Sequence, residues 1–265
     1  MYLRTLTLLL FGVCLLSSCE KSTLTGTHEA KFDRELKFNF NGNIIDLENF
    51  GRFHNSVIEQ GKDHWRIVSQ EDYCANLENM SYYVAEVSNS IKNKFIPHLN
   101  DFVQTSCEVT RTFVMPQNRE DMLYMFEQAS EKLIQAKVID DENQLIIEEV
   151  FYTVLNEGTI TEEKKFYLYT KWNEINTNST ASMISGIILS VGTNSVEYWA
   201  NDERILRGLF SIAAGDVLGG YISAMYEVVQ NWGCGCWEGE EMGSHMQQAI
   251  VDGAIQSSIA GFIPL

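Results

Sequence analysis

The sequence predicts a mainly α-helical single domain, a helical bundle preceded by one small β-hairpin. Apolar residues recur three and four apart through most of the chain, the period of an amphipathic helix. Prolines number only 3 in 265 residues, and Pro97 and Pro116 fall between helical stretches, where they do least damage. The last sixty or so residues read as two apolar helices joined by the loop Asn231-Trp232-Gly233-Cys234-Gly235-Cys236-Trp237. A chain of this size buries roughly 70–75% of its unfolded surface, so its core does not depend on disulfides. Acidic residues number 36 against 19 basic ones, a net charge of −17. Such a surface repels phosphates and has no basic patch for anionic lipid, which excludes nucleic acid as a partner.

Residues 1–18 read as a targeting segment. Arg4 is the basic residue ahead of a short apolar run, Leu6 to Leu16, which ends in Leu16-Ser17-Ser18-Cys19. This box resembles that of bacterial lipoproteins, with Cys19 as the lipidated first residue of the mature chain. The run is short for a span of roughly 20 residues. The expected location is the cell envelope, anchored by acyl groups such as palmitate at the outer membrane, on its periplasmic or outer face. Residues 19–30 are polar and form a tether; residues 31–265 form the helical domain, with its C-terminal helix pair at 203–265.

Leu36-Lys37-Phe38-Asn39-Phe40 alternates apolar and polar, and Asn41-Gly42 separates it from Ile44-Ile45, which predicts a hairpin over 35–45. Asp46 then caps a helix over 47–60, whose residues Leu47, Phe50, Phe53, His54, Val57 and Ile58 share a face. Within it, Gly51-Arg52-Phe53-His54-Asn55 resembles a Gly-x-x-His-Asn motif of uncharacterised lipoproteins of the Bacteroidetes type, whose C-terminal parts are similarly rich in small residues. The resemblance implies a lipid anchor and carries no known activity.

Further helices are predicted over 73–95, 118–138, 142–155 and 161–175, the last opening on Thr161-Glu162-Glu163, a cap followed by acid in the first turn. The stretch 102–114 is ambiguous, because Val109 to Val114 favours a strand in a helical neighbourhood. After the polar run 176–180, an apolar segment of eleven residues, Ala181 to Val191, is expected to pack on the C-terminal pair. In that pair Gly215, Gly219 and Ser223 lie four apart on one helix, and Gly253, Ser257 and Gly261 on the other. Glycine in a helix costs about 1 kcal/mol against alanine, so these stripes predict close backbone approach.

The sequence lacks the local signatures of catalysis: no His-Glu-x-x-His, no phosphate-cradling glycine loop and no Gly-x-Ser-x-Gly turn. No cofactor or metal is expected. His54 reads first as a core-edge histidine bonded to backbone; as a general base it needs an orienting acid and a pocket. Asp216 and Asp252 each sit among apolar and small residues. Either they are buried near one another, sharing a proton, a cation or hydroxyl donors, or they face solvent. Cys74, Cys107, Cys234 and Cys236 are candidate disulfide partners in an oxidising compartment, with Cys234 and Cys236 reaching back to the other two. The rival is a zinc site at Cys234, Cys236 and His245. Two functions compete: a lipid-anchored binding or interaction protein with an unknown protein or small-molecule partner, and a membrane-active protein whose small-residue helix pair is similar to those of two-peptide bacteriocins.

Overall fold

In the computed structural model the described residues are 37–40, 43–61, 73–102, 116, 118–200, 209–232 and 240–260. Strands β1 (Lys37–Phe40) and β2 (Asn43–Asp46) pair antiparallel, with Phe38 opposite Ile45 and Phe40 opposite Asn43. The helices are α1 (Glu48–Gly61), α2 (Tyr73–Phe95), α3 (Arg119–Gln135), α4 (Asp141–Glu157), α5 (Glu162–Ile175), α6 (Thr180–Ala200), α7 (Leu209–Trp232) and α8 (Glu240–Ala260). Residues 35–265 form one compact unit, mainly α. The residues read as signal, lipidation site (Cys19) and tether lie outside the described residues, as do residues 103–115 of the ambiguous stretch.

Local chemistry sets most of these boundaries. Asp46 Oδ1 accepts from the Glu48 N–H at 3.1 Å, satisfying one orphan donor of α1. Asn118, Asp140 and Thr161 do the same for α3, α4 and α5. Gly158 ends α4 with φ of 64°, a left-handed conformation in which a Cβ is unfavourable.

Helix α6 departs from expectation. The apolar run suggested eleven residues, but α6 is 21 residues long and buried for most of its length. Its polar second half does not break it, because the side chains find acceptors one turn back on the helix itself. Thr193 Oγ1 donates to Leu189 O at 2.9 Å and Asn194 Nδ2 to Ser190 O at 2.9 Å. Helices α1, α4, α5, α7 and α8 all pack against α6, which makes it the central post of the body.

The C-terminal pair packs backbone against backbone. A Cβ built on Gly219 would lie 2.5 Å from Gly253 O and 2.7 Å from Ser257 Cβ, and one on Gly215 would lie 2.9 Å from Ser257 Oγ. Contacts that run backwards along α8 as they run forwards along α7 make the pair antiparallel. Among the described residues, no helix is long and apolar enough to cross a membrane.

Candidate functional site

The Gly-x-x-His-Asn segment docks α1 onto α6. A Cβ on Gly51 would stand 2.5 Å from both Ser190 O and Asn194 Nδ2, so only glycine lets the helices meet here. The Gly51 N–H, an orphan of the first helical turn, donates to Ser190 Oγ at 3.0 Å. Asn55 Nδ2 donates to Asn194 O at 2.9 Å, which turns Asn55 Oδ1 toward His54 Nδ1, also at 2.9 Å. An amide oxygen only accepts, so Nδ1 carries a proton.

With Nδ1 so engaged, Nε2 points into the bundle. It lies 3.2 Å from Ser258 Oγ on α8 and 3.7 Å from Asp216 Oδ2 on α7. Asp216 gathers three further donors: Ser258 Oγ at 2.5 Å on Oδ1, Trp199 Nε1 at 3.1 Å on Oδ2, and the Ser195 hydroxyl, also on Oδ2. Four helices therefore meet at one carboxylate. His54, Ser195, Asp216 and Ser258 are fully buried, and Trp199 nearly so. Burial pushes the Asp216 carboxyl above its ordinary range, opposed by the charge of His54 and by the bonds from Ser195, Ser258 and Trp199.

A serine, a histidine and an aspartate invite comparison with a hydrolytic triad, and the geometry differs. A triad places the acid on Nδ1 and the nucleophile on Nε2. Here Asn55 occupies Nδ1, while serine and acid lie on the same side of the ring, with the Ser258 hydroxyl committed to Asp216. No solvent reaches any of the three.

Neither of the two readings of Asp216 and Asp252 holds for both residues: Asp216 is buried but does not pair with Asp252. Asp252 is part-buried and accepts from Gln256 Nε2 at 2.8 Å. The cause is register: contact of Gly219 with Gly253, and of Gly215 with Ser257, puts Asp216 level with the Ser257 turn of α8, about one helical turn beyond Asp252. His54, read first as a core-edge residue, is in the core and bonds side chains. Sequence reasoning missed Ser195, Trp199 and Ser258. The legible signal was Ser195 and Trp199, four apart and both able to donate, at the end of an apolar run.

Cys107, Cys234 and Cys236 lie outside the described residues. Cys74 falls in the first turn of α2, with its side chain outside them. His245 is exposed on α8. Among the described residues, no three His, Cys, Asp or Glu side chains stand close enough to hold a metal ion.

Two other surface features matter. An open hollow of about 630 Å³ lies between the α3–α4 turn and the start of α6, lined by residues such as Ile134, Val138, Asp141 and Thr180. None of the Asp216 cluster contributes to it. On α5, Phe166 and Tyr167 are 50% and 46% exposed. Lys164 and Lys171 lie over the Tyr167 ring at 5.1 and 5.7 Å and both bond Glu149. Compared with protein-family models, curated proteins and solved structures, the chain matches none of them.

Proposed function

We propose that the chain is a lipid-anchored interaction protein of the cell envelope, held through Cys19 and engaging a protein partner with the outer face of α5. The observation that carries this reading is a division of labour. Among the described residues, the cluster of His54, Ser195, Asp216 and Ser258 is sealed where four helices meet, whereas α5 presents adjacent aromatics to solvent. Aromatic side chains are enriched at the centres of protein interfaces and contribute large contact area. The two lysines over the Tyr167 ring share one carboxylate, Glu149, which fixes them beside the ring and orders this part of the face.

Site-specific photo-crosslinking from position 166 in intact cells tests the reading. A discrete adduct with one identified protein, lost on Tyr167→Asp and retained on Tyr124→Asp, is expected. The same cells carrying Cys19→Ser should lose membrane fractionation of the protein. Absence of any adduct, together with leakage of liposomes by the purified protein, would instead favour the membrane-active reading.

A further inference from the structure

We infer that His54 and Asp216 hold a single proton in common, relayed by Ser258, and that this proton latches α1 onto the C-terminal helix pair. Donors and acceptors must match one another at these buried atoms. Asn55 Nδ2 is committed to Asn194 O, so Asn55 Oδ1 accepts and His54 Nδ1 is protonated. Ser258 Oγ and Asp216 Oδ1 are 2.5 Å apart, a separation that two oxygens hold only with a proton between them. Ser258 Oγ also meets His54 Nε2 at 3.2 Å. A hydroxyl has one proton to give, so two arrangements satisfy all three atoms.

In the first, Asp216 is a carboxylate, Ser258 donates to it, and Nε2–H of an imidazolium donates to Ser258. In the second, the Nε2 proton has passed to Ser258 Oγ as the hydroxyl proton of Ser258 passed to Oδ1. Asp216 is then a carboxylic acid and His54 a neutral imidazole protonated at Nδ1. The atoms and the net charge of the pair, zero, are the same in both. Asp216 Oδ2 already accepts from Ser195 and Trp199, which leaves Oδ1 as the place for the proton. With the proton removed, one of the two contacts of Ser258 opposes bare acceptors, and the bundle holds an uncompensated buried charge.

The groups that face Asp216 are few. Helix α1 presents His54, α6 presents Ser195 and Trp199, and α8 presents Ser258; among these, His54 alone can exchange a proton with the carboxyl as an acid–base group. The upward push of burial on the Asp216 carboxyl has the direction expected for a group that retains a proton. His54 comes from the N-terminal half and Ser258 from the last described helix, 204 residues apart. The proton therefore joins the two ends of the body.

The test uses the intact, unsubstituted protein at neutral pH. The ¹⁵N shifts of the His54 ring and the ¹³C shift of the Asp216 carboxyl are read together, His54 being assigned through its proximity to Trp199 and Asn55. A protonated Nδ1 is expected, with Nε2 and the carboxyl summing to one proton. A bare Nε2 with a full carboxylate, an imidazolium with a carboxylic acid, or a bare Nδ1 would each overturn the inference. Hydrogen exchange addresses the latch. As pH rises, α1 should lose protection before α3, and Asp216→Asn, which has no proton to share, should abolish that difference. Equal loss in α1 and α3 of the unsubstituted protein, or an unchanged difference in the variant, would overturn the latch.

Discussion

Alanine at Gly219 is the sharpest perturbation of the helix pair. Two opposing effects set its sign. Alanine is the better helix former by about 1 kcal/mol, which alone would stabilise. Its methyl, however, would stand 2.5 Å from Gly253 O and 3.1 Å from Gly253 C, both backbone atoms of the facing helix, and 2.7 Å from Ser257 Cβ. A backbone carbonyl cannot rotate away, so the helices must separate, and overpacking of this kind costs about 1–3 kcal/mol. The net expectation is a loss of about 1 kcal/mol, with about 2 kcal/mol as its upper end. For a domain of this size, each kcal/mol lowers Tm by roughly 2–4 °C. Gly215→Ala is the internal control. The nearest atom to its methyl is Ser257 Oγ at 2.9 Å, the end of a side chain that is free to rotate and has no hydrogen-bond partner among the described residues. Propensity then dominates, and that variant should hold or gain stability. Thermal unfolding of both, followed by circular dichroism, decides by sign. A Gly219→Ala protein as stable as its parent, or a Gly215→Ala protein equally weakened, would refute the close-approach argument.

Other expectations follow from the same geometry. Asp216→Ala removes the carboxylate on which Ser195, Trp199 and Ser258 converge and which lies against His54, and should cost about 3–5 kcal/mol in chemical denaturation; Asp252→Ala, on a part-buried side chain, should cost far less. The pH dependence should carry two opposite contributions. Asp216, raised by burial, contributes stability that is complete below the unfolded carboxyl value and lost as pH rises through its folded one. Burial also pushes Glu149 up, but the bonds and charges of Lys164 and Lys171 outweigh it and hold the carboxyl below its usual value. Its contribution is therefore present above the unfolded value and lost as pH falls through the folded one, and Glu149→Gln should flatten that acid limb. Non-reducing peptide mapping should find Cys234 and Cys236 bonded to Cys74 and Cys107; four free thiols would refute the expectation of a clamped loop.

Much of the fold was legible because local rules govern it. The hairpin follows from Asn41-Gly42 between alternating runs, and α2 fills the residues its apolar spacing marked, ending before Pro97. The caps at Asp46, Asn118, Asp140 and Thr161 obey the chemistry of orphan N–H groups. The small-residue stripes gave the close helix pair. Two things were not legible, and both are long-range. Helix α6 continues past its apolar run because Thr193 meets Tyr169 of α5 and Ser195 meets Asp216 of α7, partners that no local window contains. His54 and Asp216 are 162 positions apart in the chain. Spacing says which face of a helix a residue occupies, but not which face of another helix it will meet.

The account turns on His54 being a sealed anchor of packing, out of reach of any substrate. Acylation of the folded protein with diethyl pyrocarbonate, read residue by residue by mass spectrometry, tests this most directly, with exposed His245 as the reference. Rapid modification of His245 with His54 untouched until the protein is unfolded is the expected result. Modification of His54 at a rate close to that of His245 in the native protein would contradict the account and restore a reactive histidine.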